Sequence, residues 1–584
     1  MKTYKEEIVD LLIPHVGLSQ SELHSALTRP QHEGQGDFSF PCFALAKQLR
    51  KSPMVIAQEL AALVLPSIQN GAFEKVEALS GYLNFTVKKS DYAKSTLSNI
   101  VLQGSLYGSS SVGNGKTVVI DYSSPNMGKE LAFHHLRGTM LGNALSRLYR
   151  LAGYRVVRIN HLGDWGTSYG KLIVMFLREG LQESDLATMT IERLNSLYKA
   201  FENASKADAT LEDQARQAFQ KLEAGDLRYK GLWSAFKSIT LKELQRLYTM
   251  LNVEFDHYTG EAFFIDHIPK IMAEIEAKGL IKQSQGAEII DLEQFNLTPA
   301  LLRKTDGATL YITRDIAAAI YRQENYAFDR CLYIVDNGQS LHFQQLNKVL
   351  ELMGYAWHKN VEHIPFGLVL IKGEEGGWEK GKTRSGQTSL LKDVITGAQE
   401  KIMGIIEEKN PDAENKSELG EKIGIGALVF SELKNRRLND IRFEWEKALS
   451  FEGDSGPYVQ NAHVRLCSIL RKSAERFGRK EADEPIKNGL DGIDFEKYSE
   501  PQAQALIQTL SLFQEKVLTA IEINDPIPVA QFALEIAEKT HSFLHVCRAL
   551  GSDEEKERLL LIDCARLVLK QSLESIGIPA IERM

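Results

Sequence analysis

Cysteine is scarce in this chain and nowhere clustered. Cys42, Cys331, Cys467, Cys547 and Cys564 are scattered through 584 residues, and no Cys-x-x-Cys occurs. That spacing argues against a disulfide framework and a zinc ribbon, and it fits a reducing compartment. No apolar run is long enough to span a bilayer. The start, Met1-Lys-Thr-Tyr-Lys-Glu-Glu7, has no apolar signal core. A cytoplasmic protein with no membrane partner is the expectation. Positive charge is not in excess either, since the formal net charge is -8. This removes the simplest sign of a nucleic-acid binder but leaves room for local basic surface. Repeats and low-complexity tracts are also missing.

What is present is length enough for several domains and a large core. Residues 1 to about 100 read as a small α+β domain. It carries Gly34-Gln-Gly-Asp37-Phe-Ser-Phe40 and helical runs over 42–50 and 53–63. Residues 104–115 are rich in Gly and Ser and read as a linker. From 116 to about 425 strands and helices alternate. Strands are expected at 117–120, 155–160, 331–336 and 366–371, and helices at 311–323 and 341–353. Such alternation indicates a Rossmann-like parallel sheet with helices on both faces. A charged helical stretch near 185–250 reads as an insertion. From 426 to 584 the pattern is almost wholly helical, which predicts a C-terminal helical domain.

The richest stretch is Asp121-Tyr-Ser-Ser-Pro-Asn-Met-Gly-Lys-Glu-Leu-Ala-Phe-His-His-Leu-Arg-Gly-Thr139. A β-branched run precedes it. After the turn, Leu136, Met140, Leu141, Leu145 and Leu148 mark one face of a helix. Strand, turn and helix start together present N–H groups and cations to a phosphate. Lys129, His134, His135 and Arg137 lie near that start. A His pair at a helix start is common by itself. Two glycines flank Asp-Trp in Asn160-His-Leu-Gly163-Asp164-Trp165-Gly166, a tight turn where ligands bind in open α/β sheets. Tyr311 and Asp315 stand four residues apart and share a helix face, a phenol beside a carboxylate that suits a guanidinium. Lys382-Thr-Arg384-Ser-Gly386 is a basic, glycine-containing loop able to meet a polyphosphate. Gly456-Pro-Tyr458-Val-Gln460-Asn-Ala462-His463-Val-Arg465 opens a helix with an aromatic and basic residues, which can stack and anchor unpaired bases.

These five segments, in this order, resemble the class I aminoacyl-tRNA synthetases in their arginyl-tRNA synthetase form. That family reads Ser-Pro-Asn, a Lys, then His-x-Gly-His-Leu-Arg. Here Ser124-Pro125-Asn126, Lys129, His135, Leu136 and Arg137 fall in register. Ala132 replaces the first signature His, and His134 replaces the Gly. The resemblance covers essentially the whole chain, including the ending Glu582-Arg-Met584. It implies ATP-dependent activation of L-arginine to the adenylate and transfer to the 3′ end of an arginine tRNA. The tRNA is expected to be needed for the first step.

By family position, Lys129, His134, His135, Lys382 and Arg384 are the catalytic set. Gly163, Asp164 and Trp165, with His135 and Lys382, bind ATP. Asp121, Asn126, Tyr311, Asp315 and Gln339 bind arginine. Tyr458, Gln460, Ala462, Arg465 and Met584 meet the tRNA. The resemblance also implies ATP with Mg2+ but no dedicated protein metal site, and a monomer. Two rivals stand beside this reading. The altered signature at Ala132 and His134 fits a catalytically weak paralogue that binds tRNA. The sheet architecture also fits a nucleotidyltransferase acting on a small molecule.

Overall fold

The structure is a computed structural model that describes residues 4–30, 34–68, 71–303, 311–372, 377–380, 389–476 and 490–584. The chain divides into two compact units.

The first unit comprises Met1–Gly104, Ile469–Ser511 and Lys539–Ala565. Its sheet has strands β1 (Phe38–Pro41), β2 (Phe73–Leu79) and β3 (Tyr82–Val87), antiparallel in the order β1-β3-β2. Ser80 and Gly81 join β2 to β3, both at positive φ (51° and 84°), the two-residue turn that matches strand twist. Phe40, Leu83 and Phe85 point inward, as do Ile56, Leu60 and Val64 of the helix Pro53–Ile68. Asp37 stays half-buried because its carboxylate accepts the Val87 N–H at 2.9 Å.

The second unit comprises Ser105–Ser468, Leu512–Glu538 and Arg566–Met584. Its strands are β4 (Thr117–Asp121), β5 (Arg155–Ile159), β6 (Ile281–Ser284), β7 (Ala287–Ile290), β8 (Ala300–Arg303), β9 (Arg330–Asp336), β10 (Val361–Phe366), β11 (Val369–Lys372), β12 (Trp378–Lys380) and β13 (Ile441–Arg442). The main sheet is fully parallel in the order β10-β9-β4-β5. Central β4 is buried at every position, so its Val-Val-Ile run is apolar throughout instead of alternating. The helix His135–Leu151 follows it and is buried on nearly all sides, more than the single apolar stripe read from the sequence. The helices Tyr311–Tyr326 and Ser340–Leu352 flank β9, and their Ile316, Ile320, Leu346 and Val349 pack with Val119 and Ile159 of the sheet. Each such fully buried side chain contributes roughly 1.5–3 kcal/mol of burial free energy.

The expected insertion is present as the helices Ile191–Ser205, Thr210–Glu223 and Leu227–Met250. One expectation changes. The run 366–371 is not one strand, because Gly367 donates to Arg437 O at 2.8 Å and Leu368 to the Asp440 carboxylate at 2.7 Å. The chain therefore leaves β10 there and starts β11 in a second sheet, β12-β11-β13. The stretch after 426 is almost wholly helical, as expected, with the short β13 as an addition that pairs parallel with β11. A two-residue strand is too short to leave a periodic signal. Beyond residue 455 every described α or β element is a helix.

Candidate active site

The carboxyl edge of the parallel sheet collects most of the residues picked from the sequence. Asp121 closes β4, the Asn160–Gly166 turn follows β5, and Gln339 ends the short turn after β9. Ser123 and Ser124 sit at φ 72° and 43°, a left-handed pair that costs about 1–2 kcal/mol per residue. Their hydroxyls hold the turn: Ser123 Oγ is 2.7 Å from the Tyr248 hydroxyl and receives Thr139 Oγ1 at 2.9 Å, and Ser124 Oγ donates to Asp121 Oδ1 at 2.9 Å. The two loops then meet. Gly163 N–H donates to Pro125 O and Met127 N–H to Gly163 O, each at 3.1 Å. A Cβ on Gly163 would lie 2.3 Å from Asn126 Oδ1, so glycine is what allows this approach.

Past the loop, a cavity of about 1230 Å3 opens over the helix start. Asn126, Lys129, His134 and His135 line it, with Lys199 from the insertion and Trp378 from β12. Lys129 Nζ lies 3.9 Å from the centre of the Tyr198 ring, a close cation–π contact. Lys392 reaches Glu130 and Glu192, both at 2.6 Å, and Asn195 donates to Glu130 at 2.9 Å. The loop is thereby tied to the insertion and to the helix Leu391–Lys409.

The rings of His134 and His135 are 4.3 Å apart. His135 Nδ1 lies 3.0 Å from the Ala132 N–H and 3.1 Å from its carbonyl. The N–H can only donate, and the carbonyl already accepts from the His135 backbone at 3.0 Å. Nδ1 is therefore the acceptor, and the ring proton sits on Nε2. Burial, and then the neighbouring His134, push the His135 pKa down to about 4. The imidazole is neutral at physiological pH and offers one N–H. Arg137, in contrast, faces inward. It is 1% exposed, donates to the carbonyls of Arg436, Arg437 and Asn439, and pairs with buried Glu432. It ties the helix to the 436–439 loop and presents nothing to a ligand.

The predicted arginine residues divide into two kinds. Asp121 is 3% exposed, and both its oxygens are used: Oδ2 accepts from Arg322 Nη2 at 2.6 Å, Oδ1 from Ser124 at 2.9 Å. Asp121 thus neutralises a buried arginine of the chain itself. Asp315 Oδ2 is 2.6 Å from His342 Nε2. Burial pushes the Asp315 pKa up, but the His342 hydrogen bond and the nearby positive charges outweigh it, and the net shift is downward. Oδ1 of Asp315 has no hydrogen-bond partner among the described residues. Tyr311, one turn before, is 63% exposed, and Asn126 and Gln339 are also exposed. Glu261 pairs with Arg314 at 2.6 Å. Burial lifts its pKa to about 7 against the pull of Arg314.

His342, Arg322, Tyr198 and Glu261 were missed in the sequence. Only His342, three residues after Gln339, lay close enough to a recognised position to be noticed.

Asp164 is 0% exposed. Its carboxylate takes Lys237 Nζ at 2.5 Å and the Ala262 N–H at 2.9 Å, and its carbonyl accepts the Trp233 indole at 2.8 Å. Trp165 stands edge-on to Trp233 and Phe219. Asp164 and Trp165 thus fasten the insertion to the sheet edge, and only backbone near Gly163 faces the Asn126 loop.

In the C-terminal segment, Tyr458 is half-buried and Arg465 exposed on the helix Gly456–Arg476. Gln460 and Ala462 are 0% exposed. Gln460 donates to Pro579 O at 2.9 Å and Lys422 O at 3.3 Å. Both are packing residues, and their reading as surface contacts to RNA is corrected on that ground. Met584 is half-buried, and its carbonyl accepts from Asn410 at 3.3 Å. Lys382 and Arg384 lie outside the described residues.

Among the described residues, no group of His, Cys, Asp and Glu could hold a metal ion, and no helix is long and apolar enough to cross a membrane. Among the described residues no disulfide forms, and all five cysteines are buried.

Comparison with known proteins adds three family matches. Residues 2–87 match the arginyl tRNA synthetase N terminal domain, 96–445 the catalytic domain of class I (R) tRNA synthetases, and 459–584 the DALR anticodon binding domain. The arginine–tRNA ligase of Alkaliphilus metalliredigens is 42% identical over 587 residues, covering 100% of each chain. That of Clostridioides difficile is 41% identical, covering 99% of this chain and 98% of its own. Among solved structures, Thermus thermophilus arginyl-tRNA synthetase superposes with a TM-score of 0.77 at 26% identity, covering 99% of each chain. The Plasmodium falciparum arginyl-tRNA synthetase gives 0.77 at 20% identity over 100% of each, a likeness of fold.

Proposed function

The chain belongs to the arginyl-tRNA synthetase family, and from that premise we propose how its residues divide the work of charging tRNA. The enzyme is a class I ligase that joins arginine to tRNA and consumes ATP. The observation that carries the proposal is the cavity itself. One wall holds Asn126, Lys129, His134 and His135, and the loop behind them is locked to Gly163.

In the first step a carboxylate oxygen of arginine attacks the α-phosphorus of ATP. The bond to the β-phosphate breaks, leaving arginyl-adenylate and pyrophosphate. Negative charge grows on the phosphate oxygens. Lys129, held over Tyr198, meets that charge, and neutral His135 donates from Nε2. Lys382 and Arg384 are assigned to the same task from the sequence. Backbone at Gly163 lies against the nucleotide, with Asp164 and Trp165 bracing it. Mg2+ enters with ATP as part of the substrate. Asp315 receives the arginine guanidinium, beside Tyr311 and Gln339, and Asn126 is assigned to the same substrate. An ammonium would leave several acceptors unpaired, at about 1–3 kcal/mol each, which favours arginine over lysine.

In the second step a hydroxyl of the terminal tRNA adenosine attacks the arginyl carbonyl and AMP leaves. Tyr458, Arg465 and Met584 are assigned to the tRNA surface. Three functional domains, 1–100, 116–425 and 426–584, fit these roles. The enzyme is taken to work as a monomer in the cytoplasm.

The test is arginine-dependent ATP–pyrophosphate exchange with and without arginine tRNA. Exchange that needs tRNA is the expected result. No exchange in either condition, with tRNA still bound, would replace this proposal by that of a tRNA binder that does not charge.

A further inference from the structure

Asp315 does not stand alone in its pocket. His342 Nε2 lies 2.6 Å from its Oδ2, and the two side chains are 25% and 20% exposed. They come from different helices, Tyr311–Tyr326 and Ser340–Leu352, so the pair is built by the fold and not by local sequence. His342 is held in turn. Its ring stands edge-on to Phe343, 5.4 Å between centres, and Phe343 stacks on His363 at 4.6 Å. His363 is anchored by a ring nitrogen 3.1 Å from Val335 O. The other charged or titratable groups facing Asp315 are His161, Arg322, Glu261 and Tyr333. Around His342 they are Asp315 and His363.

We infer that His342 is a positioning residue for arginine recognition: it occupies Oδ2 of Asp315, fixes the carboxylate plane, and leaves Oδ1 for the incoming guanidinium. This rests on the reading of Asp315 as the arginine carboxylate.

A carboxylate with no anchoring partner turns about its side-chain bonds and accepts a guanidinium or an ammonium in many poses. Anchoring one oxygen removes that freedom before the substrate arrives, which lowers the ordering cost of binding. Charge couples the two side chains as well. Burial alone would depress the His342 pKa, but the hydrogen bond to Asp315 outweighs it and raises the pKa. An entering guanidinium competes for the same carboxylate. His342 therefore loses its proton more readily once arginine is bound, and arginine binding is linked to proton release. Arginine affinity rises with pH across the titration of His342.

The experiment is tRNA-supported pyrophosphate exchange by the full chain, with KM for arginine, KM for ATP and kcat measured between about pH 6 and 8. Three variants are compared: His342→Ala, His342→Gln and Asp315→Asn. His342→Ala is expected to raise KM for arginine about tenfold with KM for ATP unchanged, which also shows that the variant is folded. His342→Gln keeps a donor without a titrating charge. It is expected to recover most of that loss while flattening the pH dependence of KM for arginine. Wild-type KM and wild-type pH dependence in both His342 variants, with arginine binding lost in Asp315→Asn, would overturn the inference alone. Wild-type arginine KM in Asp315→Asn would overturn the reading of Asp315, and the inference with it.

Discussion

Arg322 sets its Nη2 2.6 Å from Oδ2 of Asp121, and the two side chains are 1% and 4% exposed. The guanidinium also lies over the Tyr333 ring, 4.8 Å from its centre. A charge this deep is tolerable only while its partner stays. Arg322→Met should therefore destabilise the second unit by about 3–5 kcal/mol, because it leaves Asp121 buried and unpaired. The double variant Arg322→Met/Asp121→Asn should recover part of that loss. Differential scanning calorimetry of the three proteins decides it. A double variant that melts no higher than Arg322→Met would show that the pair is not the cause.

Gly163 is predicted to matter through Asn126. The added methyl of Gly163→Ala would press on Asn126 Oδ1, 2.3 Å from the new Cβ. Asn126 must then turn away, at a cost of about 1–3 kcal/mol. KM for arginine should rise more than KM for ATP. In an Asn126→Ala background the same change should cost much less. Equal losses in both backgrounds would place the effect of Gly163 elsewhere, in the nucleotide.

Lys129 and Tyr198 are expected to act as one device. Lys129→Met should lower kcat for exchange about 100-fold, the usual scale for a lost electrostatic contact to a transition state. Tyr198→Phe keeps the aromatic face and should stay close to wild type, whereas Tyr198→Leu should lose several-fold in kcat. The double variant Lys129→Met/Tyr198→Leu should be no worse than Lys129→Met alone. Additive losses in that double-mutant cycle would mean that the ring serves packing and not the ammonium.

Much of this arrangement was legible in the sequence because its signals are local. The β-branched run 117–120, the glycines around Asp164 and the i, i+4 spacing of Tyr311 and Asp315 each carry their meaning within a few residues. What was not legible is pairing across long separations. Nothing near Asp121 announces that Arg322, 201 residues later, will neutralise it. Nothing near Gln460 announces the carbonyl of Pro579. An amphipathic pattern also cannot tell a one-sided helix from one buried all round, which is why Arg137 read as a residue of the site and proved to be a buried tie. The split of 366–371 into β10 and β11 has the same origin, since its cause is Arg437 and Asp440.

Acid should destabilise the second unit in a defined window. His463 is fully buried, and its Nδ1 is 2.7 Å from Ile581 O. Burial pushes its pKa from 6.5 down to about 4, with the Ile581 hydrogen bond opposing. The folded value is below the unfolded one, so the neutral ring is what the fold stabilises. That stability is fully present above about pH 6.5 and is lost as pH falls toward about 4, up to a limit on the order of 3 kcal/mol. His135 titrates in the same direction, from 6.5 to about 4, so wild-type protein carries both contributions. In His463→Asn the amide keeps a donor near the Ile581 carbonyl and cannot charge. Its melting temperature should fall less steeply between about pH 6.5 and 4 than that of the wild type. An identical pH slope in the two proteins would show that His463 protonation is not what acid acts on. Activity should respond differently. His135 stays neutral down to about pH 4 and donates from Nε2 throughout, so the kcat profile should show no step near pH 6.5 that disappears in His135→Asn.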